Sequence, residues 1–432
     1  MLLSNNSLAV NEKGNLTIGN CDTTELAKEF GTPLYVVDET VLRNNCRKFD
    51  SSMKAYYGKG LVIYASKALN CMEVCRVVAD EGLGLDVASG GELYTALKSG
   101  FPAEKIYFHG NNKTEDELVY AVKSKIGRII VDNPTELARL DKIAAELSEI
   151  PKIMFRIKPG IDAHTHDFVK TGQIDSKFGF ALENGEAFEA VKLTKDMKHL
   201  ELVGLHCHIG SQIFDIDPFI LAAEVMLNFY LKIKNELGME FTDLNLGGGF
   251  GIKYTDQDDP KEYNIFMEKV SAVVKGFCEK ENLLMPFICI EPGRSIIAPA
   301  GITLYTVGAV KEIENVKNYI LIDGGMGDNP RYALYKSAYT ALLANKAGVA
   351  ADYTATIAGR CCESGDLIAE NIQIQTPAEG DILAVLATGA YNYSMSSNYN
   401  RFPRPPIVMV KDGKARVVVK RETYEDIIRN DI

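Results

Sequence analysis

The 432 residues are 46% hydrophobic and 24% charged, and 47 Lys and Arg against 58 Asp and Glu give a formal net charge of −11. A chain this long can bury a large core without disulfide or metal staples, and its acidic balance excludes the basic face that nucleic-acid phosphates or an anionic membrane demand. No apolar run reaches the ~20 residues of a spanning helix, the start Met1-Leu2-Leu3-Ser4-Asn5-Asn6 lacks the segments of a signal peptide, and the nine cysteines form no CxxC pair, so the expectation is a cytoplasmic protein with reduced thiols.

In chain order, Leu8-Ala9-Val10 and Leu34–Val37 read as short strands around a helix over Thr24–Phe30, which Gly31 and Pro33 end. Eight apolar, β-branched runs follow: Leu61–Tyr64, Leu83–Val87, Lys105–Phe108, Arg128–Val131, Ile153–Ile157, Leu202–His208, Asp243–Leu246 and Phe287–Ile290. The stretches between them have helical periodicity and helix starts. Thr114-Glu115-Asp116-Glu117 is a capping box, and Asn133-Pro134-Thr135-Glu136 combines an N-cap, a first-turn Pro and a Glu. Eight strand–helix units over ~250 residues predict a closed (β/α)8 TIM barrel. The rhythm breaks after Glu291-Pro292-Gly293-Arg294. Thr303–Val310, Tyr319–Asp323, Tyr353–Ile357, Asp381–Leu386, Ile407–Val410 and Ala415–Val419 then read as a mostly antiparallel β-barrel or sandwich that also takes up the N-terminal pieces. The expected domains are a barrel over 40–299 and a β domain formed by 1–39 and 300–432.

Barrel chemistry sits where strands run into the following loops. Lys67 ends the first strand among apolar neighbours, where it is either a desolvated amine able to form a Schiff base or a barrel-mouth cation paired to a carboxylate. Gly247-Gly248-Gly249 follows the seventh strand, the place where barrels hold phosphate, and Glu291 with Arg294 ends the eighth with one acid and one guanidinium. His206 and His208 end the sixth. An HxH pair there can bind a metal, or one imidazole can stack on a planar cofactor. His164 and His166, after the fifth strand, are the further histidines a metal could recruit, but none is expected to bind. In the β domain, Arg360-Cys361-Cys362-Glu363-Ser364-Gly365-Asp366 carries thiols and acids in one loop. Vicinal cysteines suit a disulfide poorly, which leaves a proton donor or a solvated loop.

Together these segments resemble the diaminopimelate decarboxylase family of pyridoxal-phosphate enzymes over nearly the whole chain. The motifs are Tyr64–Ala68, Asp86–Glu92, His109–Lys113, His206–Gln212, Gly247–Gly251, Glu291–Arg294, Cys362–Asp366 and Gly389–Ser394. The resemblance implies that Lys67 holds pyridoxal 5'-phosphate as a Schiff base and that His208 stacks on its ring. Ser211 and the glycines around Gly249 take the phosphate, and Glu291 faces the pyridine nitrogen. Pro292 and Gly293 belong to the same cofactor-binding run, and Arg294 reaches both the phosphate side and the substrate. It further implies that Arg331, Tyr335 and Glu363 bind substrate, that Tyr391 touches cofactor and substrate, and that Cys362 donates a proton, with Cys361 a bystander. The family forms homodimers with shared sites, Cys362 and Glu363 coming from the neighbouring chain. Relatives with this fold decarboxylate ornithine, arginine or carboxynorspermidine, and some have lost catalysis. Diaminopimelate ends in a second amino-acid head, which takes a cation for its carboxylate and an acid for its ammonium. Arg294 or Arg331 with Glu363 supplies both signs.

Overall fold

A computed structural model describes residues 7–161 and 176–432. They divide into two compact units, one of Cys46–Gly251 with Pro260–Gly293, the other of Met1–Asn45, Ile252–Asp259 and Arg294–Ile432.

The first unit is a closed parallel barrel of β1 (Gly60–Ala65), β2 (Gly84–Val87), β3 (Ile106–Phe108), β4 (Arg128–Val131), β5 (Lys152–Lys158), β6 (Glu201–Cys207), β7 (Asp243–Asn245) and β8 (Phe287–Ile290). Each strand pairs with the next, and β8 closes on β1 through Ile288–Gly60, Cys289–Leu61 and Ile290–Val62. All eight expected strands form, and the predicted helix starts hold: Thr114 and Glu117 make the reciprocal capping box, and Asn133 caps a helix with Pro134 in its first turn. A two-residue strand, Phe180–Ala181, adds to β5 and was not anticipated. Ile63, Tyr107, Ile130, Met154, Val203 and Cys289 pack together as one buried layer. Successive side chains alternate across a strand. Two residues beyond Tyr107 and Cys289 therefore come His109 and Glu291, on the same face and nearer the strand ends.

In the second unit one sheet runs in the order Leu367–Ile374, Tyr353–Ala358, Lys317–Ile322, Gly301–Ile313, Leu34–Asp38, Ile407–Lys411, Lys414–Val419, with Ile382–Val385 also on Gly301–Ile313 and Ala341–Leu343 beyond it. Pairing is antiparallel except between Lys317–Ile322 and Tyr353–Ala358 and between Leu34–Asp38 and Ile407–Lys411. Leu34–Asp38 thus enters the sheet as expected. Leu8–Val10 does not. It pairs with Leu16–Ile18, which turns through left-handed Gly19 and Asn20 into Cys21–Asp22, so local turn chemistry completes a separate three-stranded sheet. Among the described residues, no helix is long and apolar enough to cross a membrane.

Candidate active site

Lys67 occupies a single 3-10 turn, Ser66–Ala68, at the end of β1. Tyr64 donates its hydroxyl to the Leu69 carbonyl at 3.1 Å, and Asn70 donates to Ser66 Oγ at 2.8 Å, which fixes the turn from both sides. Ser66 and Ala68 are buried, whereas Lys67 is exposed. Apolar neighbours in sequence therefore do not desolvate this amine, because their side chains point into the wall while the lysine leaves it. Pro292 accepts the Ala65 amide at 3.2 Å, and a Cβ on Gly293 would come within 2.9 Å of Ala65. The run after β8 is thereby packed against the turn that carries Lys67.

Glu291 accepts hydrogen bonds from three buried side chains. Its Oε1 accepts from His109 Nε2 at 2.8 Å and from Asn245 Nδ2 at 2.7 Å, and its Oε2 accepts from His206 Nε2 at 3.1 Å. Burial alone raises a carboxyl pKa; here the charge and hydrogen bonds of His109 and His206 overcome it and hold Glu291 well below the usual carboxylate range. Asp86, 3.9 Å behind His109, is pushed up by burial to about 6 against the pull of that imidazole. Burial drives His206 down to about 4.

His208 takes a different partner. Its Nδ1 accepts the Gly248 amide at 3.2 Å, so that nitrogen carries no proton. Burial, then Lys67 and Arg156, hold the ring well below its ordinary pKa and neutral. The HxH pair is thus split between an acid and a backbone amide. The three glycines are also less open to an anion than their sequence suggests. Gly247 donates to Asn245 Oδ1 at 2.9 Å and Gly248 to His208, which leaves Gly249 as the loop's remaining amide. Gly249 has φ +113°, and a Cβ there would sit 2.4 Å from the Gly210 carbonyl, so only glycine allows this approach. Ile213 donates to Gly249 O and Gly251 to Ile213 O, joining the Ser211 loop to the glycine loop.

In the second unit, Arg294 is buried and donates from Nη1 to the Tyr254 hydroxyl at 2.6 Å. The Tyr391 ring lies 4.7 Å from the Arg294 guanidinium carbon and 5.3 Å from that of Arg331, which is also 5.3 Å from Tyr335. Tyr391 holds a left-handed backbone, φ +64°, a conformation that costs a non-glycine residue ~1–3 kcal/mol. Arg331 is 8% exposed, reaches Ser337 Oγ at 3.3 Å and leaves its buried Nε without a hydrogen bond. Among the described residues it pairs with no carboxylate. The two thiols differ sharply. Cys361 is half-buried, with its pKa raised to about 11 by burial and by Asp366, whereas Cys362 is exposed. Glu363 is exposed and accepts from the Tyr399 hydroxyl at 2.5 Å.

The sequence offers His206 only as half of a metal-binding pair or as a stacking ring, and gives no role to His109, Asn245, Asp86 or Arg156. Their signal is position, since each is a polar residue near a barrel strand's carboxyl end. His164 and His166 lie outside the described residues. His109, His206 and Glu291 bring one ligand atom each within 4.8 Å of one another, but both imidazole N–H groups are spent on the carboxylate.

These residues fit pyridoxal phosphate. An ionised, buried acid suits a protonated pyridine nitrogen, a neutral imidazole suits its ring face, and a backbone cradle closed to any Cβ suits its phosphate. The model for the pyridoxal-binding domain of pyridoxal-dependent decarboxylases matches residues 41–298. The diaminopimelate decarboxylase of Bacillus subtilis strain 168 is 48% identical over 422 residues, covering 98% of this chain and 96% of the relative. That of Bacillus methanolicus is 49% identical over 413 residues, 96% of each. The crystal structure of the M. jannaschii diaminopimelate decarboxylase with L-lysine superposes with a TM-score of 0.91 at 35% identity, over 100% of this chain and 99% of that one. On this fold, this site and these likenesses, the chain belongs to the diaminopimelate decarboxylase family of pyridoxal-dependent enzymes.

Proposed function

We propose that the chain removes one carboxylate from meso-2,6-diaminopimelate, giving CO2 and L-lysine in the last step of lysine biosynthesis. The observation that carries this reading is Glu291, buried and held as an anion in a barrel whose first strand ends in an exposed lysine. Bound pyridoxal phosphate supplies an electron sink for the carbanion left at Cα when CO2 departs. Lys67 is the amine that would hold the cofactor's aldehyde carbon. Glu291 keeps a proton on the pyridine nitrogen, as full carbanion development requires. Neutral His208 covers one ring face, and Ser211 and Gly249 hold the phosphate, with Pro292 and Gly293 seating the Lys67 turn. In this reading 40–299 is the cofactor-binding domain and 1–39 with 300–432 the β domain. Arg294 and Tyr391 serve cofactor and substrate together, and Arg331, Tyr335 and Glu363 bind the substrate. The test is an absorption band from the bound cofactor in purified protein, then CO2 release from meso-diaminopimelate, ornithine and arginine in parallel. Release from ornithine or arginine alone rejects the substrate.

Cys362 supplies the proton that Cα takes up. Groups of this kind contribute ~10²–10⁴-fold. Cys362→Ala is expected to retain the cofactor band and slow turnover by that factor, while Cys361→Ala, at a thiol held protonated by its surroundings, stays near wild type. Equal losses in kcat reject the assignment.

The exposure of Cys362 and Glu363 in a single chain supports a homodimer in which the partner subunit supplies this loop. Mixing inactive Lys67→Ala chains with slowed Cys362→Ala chains is expected to raise activity above that of either alone as subunits exchange, because a heterodimer holds one site with both residues intact. Exchange without recovery, followed by mass spectrometry of the mixed dimer, rejects shared sites.

A further inference from the structure

We infer that His109 and His206 are positioning residues of the reaction, which together fix the Glu291 carboxylate as an anion so that the proton it shares with the cofactor stays on the ring nitrogen. The inference rests on the placement of Glu291 against that nitrogen proposed above and assigns the work to two side chains that never reach the substrate.

The geometry is a clamp. His109 binds one oxygen of Glu291 and His206 the other, at 2.8 and 3.1 Å, and Asn245 reinforces the first at 2.7 Å. The two imidazoles pack edge to face with centroids 4.7 Å apart, and all four side chains are buried. The Nδ1 of His206 is buried without a hydrogen-bond partner. The ring's proton therefore sits on Nε2, where it is donated to Glu291, and the neutral tautomer is fixed by that one bond. Asn245 is itself anchored, because its Oδ1 takes the Gly247 amide. The carboxylate plane is thus held from both oxygens by groups that end three different strands, β3, β6 and β7.

The charges around the acid are mixed. Asp86 faces it from β2, His109 from the end of β3, Arg156 from β5 and His208 from the end of β6. The thiols of Cys207 and Cys289 are both pushed up by burial and stay neutral. Burial opposes a charged His109, and Asp86 and Glu291 overcome it and raise its pKa. A proton shared between a carboxylate and a pyridine rests on the stronger base. Two N–H donors stabilise the carboxylate anion and weaken it as a base, and the proton goes to the ring. Without a donor the carboxylate becomes more basic, the ring loses its charge and the electron sink weakens.

The test uses holoenzyme loaded with pyridoxal phosphate labelled with 15N at the ring, read by the ring nitrogen's chemical shift and by steady-state kinetics. Wild type is expected at the pyridinium position and Glu291→Gln at the neutral one. His109→Phe and His206→Phe, which keep ring volume but remove the donor, are expected between them. Each should change the ratio of protonated to neutral ring by about tenfold, the equivalent of one pKa unit, with kcat falling by a similar factor and KM for the substrate little changed. His206→Gln, whose amide reaches the Nε2 position, should move back toward wild type. If both Phe variants keep the wild-type shift while Glu291→Gln moves, the histidines are packing only and the inference is overturned. If Glu291→Gln also fails to move the resonance, it is the placement of Glu291 that has failed, a distinguishable result. Should a Phe variant not fold, His109→Leu or His206→Leu takes its place in the same comparison.

Discussion

A Lys67→Ala chain is expected to lose turnover and covalent cofactor capture together while melting at the wild-type temperature. The lysine is exposed, and the turn it sits in is held by Tyr64, Asn70 and the buried Ser66 and Ala68 rather than by its own side chain. Substitutions at such positions usually change stability by no more than ~0.5 kcal/mol, so a loss of activity cannot be charged to unfolding. Among the described residues, two other amines near the strand ends are engaged elsewhere. Lys113 is buried and donates to the Gly110 and Ile130 carbonyls and to Glu136 at 2.9, 2.7 and 2.8 Å. Lys158, at the end of β5, donates to the Ser176 carbonyl at 3.3 Å. Borohydride reduction of wild-type holoenzyme followed by peptide mapping should label Lys67. A label on any other lysine, or an intact cofactor band in Lys67→Ala, overturns the assignment.

How far the residues announce this site depends on which interaction places them. The barrel was legible because each of its strands is a local, apolar run with a helix start close behind, and parallel pairing in chain order needs no further information. Lys67, Gly249 and Glu291 stand out in the sequence for the same reason, as unusual residue types at strand ends. The clamp on Glu291 does not. His109, His206 and Asn245 lie 182, 85 and 46 residues away in sequence, and nothing local distinguishes a histidine that serves an acid from one that serves a metal or a ring. The split of His206 from His208 turns on which atom each ring finds, the Glu291 carboxylate or the Gly248 amide. The glycine run shows less on its own than its type suggests. It signals close backbone approach, and two of its three amides serve the barrel's own side chains. At the chain's start Leu8–Val10 reads as a strand with no partner indicated, and the turn at Gly19-Asn20 gives Leu16–Ile18 a second neighbour and completes a sheet without the larger one.

Arg331→Ala is expected to narrow the difference between diaminopimelate and a diamine-tailed amino acid rather than to lower all activity alike. Arg331 is a buried guanidinium stacked between Tyr335 and Tyr391, with Ser337 as its hydrogen-bond partner and a buried Nε that has none. A buried charge left in that state is costly, and an incoming carboxylate removes the cost while accepting the fork of donors that arginine presents. Once the distal carboxylate of diaminopimelate is bound there, deleting the guanidinium leaves a buried charge uncompensated, which typically costs ~3–5 kcal/mol. At ~1.4 kcal/mol per tenfold, kcat/KM for diaminopimelate should fall by roughly 10²- to 10⁴-fold. Substrates of the lysine or ornithine type carry no second carboxylate and should lose far less, so the ratio of the two kcat/KM values is the measurement. The free enzyme gives an independent check. Removing an unpaired buried cation offsets the lost stacking, so Arg331→Ala should melt close to wild type even as its preference collapses. If instead the ratio is unchanged, Arg331 does not read that carboxylate. The role then passes to Arg294, whose guanidinium carbon lies 4.7 Å from the same tyrosine ring and which is already tied to Tyr254.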